Sequence, residues 1–139
     1  MELEVRVARL GAQGGGVADG PDGHLFVPFA LVGECVKVEA TPGSDRAVLI
    51  DVLERSSDRV APVCPHFGVC GGCALQHLEA SAYLAWKCEL VVAALRSRGL
   101  DAEIDAVRPV PIGSRRRTAL ALGRGKVGLS AIAAPARTS

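Results

Sequence analysis

Three of the five cysteines fall within ten residues, Cys64-Pro65-His66-Phe67-Gly68-Val69-Cys70-Gly71-Gly72-Cys73, at C-x5-C-x2-C spacing. Thiolates at this density serve to hold a soft metal or an iron–sulfur cluster. The spacing is close to the plant-ferredoxin arrangement, C-x4-C-x2-C with a distant fourth cysteine. Zinc more naturally takes two separated pairs of ligands, and only one C-x2-C pair is present. Ligand softness therefore favours an iron–sulfur cluster on Cys64, Cys70 and Cys73, with zinc and redox or structural thiols as the alternatives. Gly71 and Gly72 have no Cβ, so amide N–H groups can approach the sulfurs, where such hydrogen bonds orient ligands and tune a cluster. His66 and His77 flank the loop, and imidazole replaces cysteine in some iron–sulfur sites.

The chain that must position this loop is short. At 139 residues it holds one modest domain or two very small ones. With 16 Lys+Arg against 15 Asp+Glu the formal net charge is +1, so any nucleic-acid contact must come from local patches. No apolar run is long enough to cross a bilayer, and the N-terminus Met-Glu-Leu-Glu-Val lacks a targeting pattern. Clustered cysteines without a signal peptide read as metal ligands in a reducing cytoplasm rather than as disulfides.

Residues 2–10 alternate, with Leu3, Val5 and Val7 on one face and Glu2, Glu4 and Arg6 on the other, which predicts a half-buried strand. Residues 11–23 are rich in glycine and turn residues. They fail the dinucleotide fingerprint, because Asp19 stands where the third glycine belongs and no helix pattern follows. Leu25-Phe26-Val27 is a short strand stopped by Pro28. Residues 34–40 alternate with Val36 and Val38 inward, and residues 46–54 form the next strand. Lys37, facing outward, is a candidate RNA contact. Cys35 shares its face and reads as a half-exposed bystander. Several short strands with this punctuation predict a small barrel. Phe26 and Phe29 are its only aromatic residues, so base stacking would be sparse and phosphate contact would dominate.

Ser56-Ser57-Asp58-Arg59 reads as a polar linker and domain boundary. From about Glu79 to Arg98 the pattern turns helical, with Leu84, Cys88, Val91 and Leu95 on one stripe and Gly99 as its stop. On that stripe Cys88 reads as a buried, inert thiol, and Tyr83 and Trp86 as packing residues whose polar tips need partners. Residues 101–107 suggest a further strand. Arg115, Arg116 and Arg117 suit phosphate chemically; on a strand, Arg115 and Arg117 would share one face and Arg116 the other. From Leu129 the chain is rich in small residues without periodicity and reads as a disordered tail.

The stretch Cys64-Pro-His-Phe-Gly-Val-Cys-Gly-Gly-Cys-Ala-Leu-Gln-His77 resembles the cluster signature of the RNA (uracil-5-)methyltransferases, most closely the bacterial enzymes acting on 23S ribosomal RNA. Gly15-Gly-Val-Ala-Asp and Val27-Pro-Phe-Ala-Leu-Val-Gly-Glu34 resemble their TRAM domain, an OB-like RNA-binding module. Ser114-Arg115-Arg116-Arg117-Thr118-Ala-Leu-Ala-Leu122 resembles the arginine-rich strand that opens their central domain. The resemblance implies an α+β fold. A TRAM β-barrel would span 1–57, a cluster loop 58–78, and a helix with the first strands of an incomplete central RNA-binding domain 79–128, before the tail at 129–139. It implies a [4Fe–4S] cluster held by cysteine alone, with no fourth cysteine beyond Cys88 to complete the set. It also implies RNA as partner, ribosomal or transfer RNA, and S-adenosylmethionine as the donor used by full-length members but not bound here. The expected function is the RNA- and cluster-binding portion of a methyltransferase, without catalytic residues and inactive alone. A free-standing TRAM RNA-binding protein and a small iron–sulfur electron carrier are the competing readings.

Overall fold

The computed structural model describes residues 1–123 and 125–131. These form two compact units, Met1–Leu78 together with Ser130 and Ala131, and Glu79–Leu129. The division falls after Leu78, so residues 58–78 belong to the first unit.

That unit is built on five antiparallel strands, β1 (Glu2–Leu10), β2 (Gly16–Gly20), β3 (Gly23–Val27), β4 (Cys35–Ala40) and β5 (Ala47–Glu54), in the order β3-β2-β1-β4-β5. The alternation in β1 and β4 is met: Val5, Val7, Val36 and Val38 are buried, while Glu2, Glu4 and Arg6 are exposed. Ala18, Leu25, Val27, Ala30, Ala40 and Ala47 complete one core. The edge strands meet at a single bridge, Phe26 to Arg46, with the Phe26 amide donating to the Asp45 carbonyl at 2.7 Å. The sheet thus approaches a barrel without a continuous closing ladder.

The strand β2 lies inside a segment whose glycines read as turn. Those glycines are packing devices. A Cβ at Gly16 would stand 2.9 Å from both the Ala30 carbonyl oxygen and a Val7 methyl. At Gly14, where φ is +88°, it would meet the Leu75 side chain at 2.9 Å. The run closes the β1–β2 turn against the core and residues near the cysteines, in keeping with the turn reading and not with a phosphate cradle.

The second unit carries α1 (Ala80–Arg96) and a two-stranded hairpin of β6 (Ala121–Gly123) and β7 (Lys126–Gly128). Glu79 caps α1, its carboxylate accepting from the Ser81 amide at 2.8 Å and the Ala82 amide at 3.2 Å, which satisfies donors that the first turn leaves open. After the helix, Gly99 adopts φ +74° and the Leu100 amide returns to the Leu95 carbonyl at 3.1 Å, the left-handed stop expected there. The stripe itself differs from expectation. No residue of α1 is buried; Leu84, Cys88 and Leu95 are half-buried and Val91 is exposed. Cys88 is therefore not a core thiol, because nothing among the described residues seals the stripe. Lys87 lies over the Tyr83 and Trp86 rings at 5.5 and 5.2 Å, and the Trp86 indole nitrogen has no partner among the described residues.

The strands expected at 101–107 and across Arg115–Arg117 do not form. Residues 101–120 are exposed except for half-buried Ile104, and regular pairing begins only at Ala121. A strand needs a partner for its amides and carbonyls. Pro109 and Pro111 withhold two donors here, and the Ser114 amide turns back to the Pro111 carbonyl at 3.3 Å. Of the tail, the Ser130 carbonyl accepts from the Gly71 amide at 2.8 Å and Ala131 bridges to Cys70. The expectation of disorder for 132–139 lies outside the described residues.

Candidate functional site

The cysteine loop is fastened to the sheet by a buried ion pair. Glu34, immediately before β4, has no solvent exposure, and its carboxylate accepts from the Leu31 amide at 2.9 Å and the Ser56 amide at 3.2 Å. Arg59 completes the set, with Nε donating to Oε1 at 2.6 Å and Nη2 to Oε2 at 2.7 Å. Burial opposes ionisation of Glu34, but the two-pronged guanidinium and the amides outweigh it and hold the carboxyl below its usual range. The same Nη2 donates to the Phe29 carbonyl at 2.7 Å. Phe29 stands at φ +67°, a conformation that costs a bulky residue on the order of 1–2 kcal/mol. Arg59 and the packing of the ring hold it there.

Phe29 meets Phe67 edge-on, with centroids 5.3 Å apart, and both rings face His77, at 6.0 and 5.2 Å. His77 is 2% exposed, and among the described residues neither ring nitrogen makes a well-formed hydrogen bond, the Phe29 backbone being at most a weak partner. This agrees with a structural role for His77. Burial in the aromatic nest, reinforced by the Arg59 charge, pushes its pKa down to about 4 from 6.5. The unfolded chain therefore binds a proton between those values that the folded one refuses. Stability from this residue is full above about pH 6.5, falls as the pH drops and levels off below about pH 4. The loss amounts to about 3 kcal/mol. Urea titrations from pH 7.5 to 4 should show the decline, and His77→Leu should flatten it.

Of the three cysteines in this loop, Cys64 and Cys70 are half-buried and Cys73 is exposed. The Gln76 side chain accepts from the Cys64 amide at 3.0 Å, and the Gly72 amide donates to Cys70 Sγ at 3.4 Å, the kind of N–H···S contact the glycines were expected to allow. The donor set fits a thiophilic cluster in kind, for three of four positions. It is not gathered: among the described residues, no three His, Cys, Asp or Glu side chains are grouped to hold a metal. Holding a cluster would require the loop to close. His66 is exposed, and Cys35 lies half-exposed on β4, as expected.

The cationic candidates are dispersed. Lys37 Nζ pairs with Glu2 at 2.6 Å. The hydrogen bond that Lys37 donates to Glu2, with Glu4 and Asp51 nearby, holds the ammonium pKa above its usual value, so Lys37 sits on an acidic face. Arg115, Arg116 and Arg117 are exposed on irregular chain, and the shared face expected for Arg115 and Arg117 on a strand does not arise.

The Glu34–Arg59 pair was not foreseen; its only sequence signal was an arginine in an otherwise short polar stretch. Among the described residues no helix is long and apolar enough to cross a membrane.

No protein-family model matches the chain. It is 47% identical over 129 residues, 93% of its length, to an uncharacterized RNA methyltransferase of Mesorhizobium japonicum. It is 45% identical over 131 residues, 90% of its length, to one of Agrobacterium fabrum. Over 91 residues, 61% of the chain, it is 47% identical to a 23S rRNA (uracil(1939)-C(5))-methyltransferase of Xanthomonas oryzae. The chain spans about 30% of the length of the first two relatives and 20% of the third. Close to half of its residues, over nine tenths of its length, are thus shared with proteins named RNA methyltransferases.

Proposed function

We propose that this chain is the RNA-binding and cluster-binding portion of a cytoplasmic, S-adenosylmethionine-dependent 23S rRNA (uracil-C5)-methyltransferase. The observation that carries this reading is its 47% identity over 91 residues to an enzyme named for that reaction. The five-stranded unit would act as a TRAM-type module on RNA. Cys64, Cys70 and Cys73 would hold a [4Fe–4S] cluster, which supplies a rigid cross-link to the loop that the Glu34–Arg59 pair already fastens. Exposed Arg115, Arg116 and Arg117 would meet phosphates, whereas Lys37 would first have to leave Glu2. In this reading the chain alone transfers no methyl group. Attack at uracil C6 needs a thiolate with an activating base or cation. Of the two cysteines outside the loop, Cys35 lies opposite Arg6, whose guanidinium is taken by Glu54 at 2.5 Å, and Cys88 lies on the apolar stripe of α1.

Gel shifts with a 23S rRNA fragment across a salt series test the reading. Binding should weaken steeply with salt, and replacing Arg115, Arg116 and Arg117 together by glutamine should reduce the log–log slope by about 2 to 3. Absence of binding at low salt, or binding indifferent to salt, would contradict it and favour the electron-carrier alternative.

A further inference from the structure

The first unit contains a cleft of about 540 Å³ that the cluster and the arginines leave unused. One wall is the glycine-rich β1–β2 turn, with Gln13 at its tip; the other is the seam where β3 meets the start of β5. At that seam Phe26 and Arg46 are bridge partners, so their side chains leave the backbone on the same side. Both line the cleft, as does Cys73. Phe26 is 39% exposed; Phe29 also lines the cleft, but its ring is packed in the nest with Phe67 and His77. A Cβ on Gly11 would still be 3.9 Å from the Phe26 ring edge and 3.5 Å from the Gly15 carbonyl. At Gly11 the turn therefore passes beside the ring edge with no side chain of its own there.

We propose that this cleft receives a single unpaired base of the bound RNA, stacked on Phe26, with the Gln13 amide addressing its edge and Arg46 its phosphate. The proposal rests on the RNA-binding reading above and specifies where one nucleotide sits. The cleft volume accommodates one base, and an aromatic face beside an amide and a guanidinium is the chemistry that binds splayed single-stranded bases. Asp45 lies at the same rim and offsets Arg46, so stacking rather than phosphate attraction dominates here. This differs from the expectation that stacking on the barrel would be sparse and phosphate contact would dominate. Because Cys73 shares the cleft, the nucleotide would lie against the cysteine loop.

The test measures binding of a fluorescent single-stranded hexauridylate, and of a duplex of equal length, to the whole chain and to Phe26→Ala and Phe26→Trp. Circular dichroism and urea midpoints check that each variant is folded. Phe26→Ala should weaken single-strand binding about tenfold or more, by a similar factor at 50 and 300 mM salt, while Phe26→Trp restores it. Duplex binding should be unchanged by either substitution. If the chain binds the single strand but folded Phe26→Ala binds equally well, the base cleft is refuted and the RNA-binding reading stands. If the unaltered chain binds neither RNA, both fall.

Discussion

Replacing Arg59 by alanine should destabilise the first unit by about 3–5 kcal/mol at neutral pH, because it strands the fully buried Glu34 carboxylate without its counter-charge. Two effects add to this. The Phe29 carbonyl loses its donor while Phe29 remains at φ +67°, and the link from residue 59 back to the sheet is cut. The deficit should depend on pH in a diagnostic way. Without the guanidinium, burial is left to push the Glu34 pKa up, so the variant can relieve the stranded charge by taking a proton. The difference from the unaltered chain should shrink as the pH falls through that raised pKa. Replacing both residues with apolar side chains of similar size should recover much of the loss, since desolvating an ion pair consumes most of its Coulombic gain. Urea midpoints of the single and double variants across pH provide the check. A pH-independent loss under 1 kcal/mol for Arg59→Ala would mean that Glu34 is not held as described.

The second large effect concerns the cysteines. After anaerobic reconstitution with iron and sulfide, the chain should carry both, with a broad brown absorption. Cys64→Ser, Cys70→Ser or Cys73→Ser should each lower the iron content severalfold or more, because a set that already lacks a fourth cysteine has no ligand to spare. Cys88→Ser should leave it unchanged. The cluster should also be labile in air, since one iron would be open to solvent. Stoichiometric zinc without sulfide would show that the thiols serve a different metal. An air-stable full cluster would mean that a further ligand completes it, with His66, exposed beside the loop, the first to examine.

The legible parts of the chain were those with local signals. The period-2 alternation of β1 and β4, the Glu79 and Gly99 ends of the helix and the cysteine spacing all predict what stands in the structure or what chemistry the loop could do. What escaped depends on distant partners. Glu34 and Arg59 are 25 residues apart, so an arginine in a polar stretch carried no sign that it would be buried. The strand β2 was hidden because its glycines, needed for close approach to Ala30 and Val7, look like turn residues. Arg115–Arg117 form no strand, because among the described residues no segment pairs with them. The stripe of α1 is apolar, as its periodicity predicts, yet periodicity does not say what covers it. Convergence of the thiols was likewise an inference from chemistry, and spacing alone did not bring them together.

A chimera in which this chain replaces the matching segment of the Xanthomonas oryzae enzyme would decide most directly whether it serves uracil-C5 methylation of ribosomal RNA. With labelled S-adenosylmethionine and unmodified 23S rRNA, the chimera should place label at uracil C5, while this chain alone should place none. A folded chimera that binds the methyl donor but leaves the RNA unlabelled, beside an active parent enzyme, would contradict the assignment.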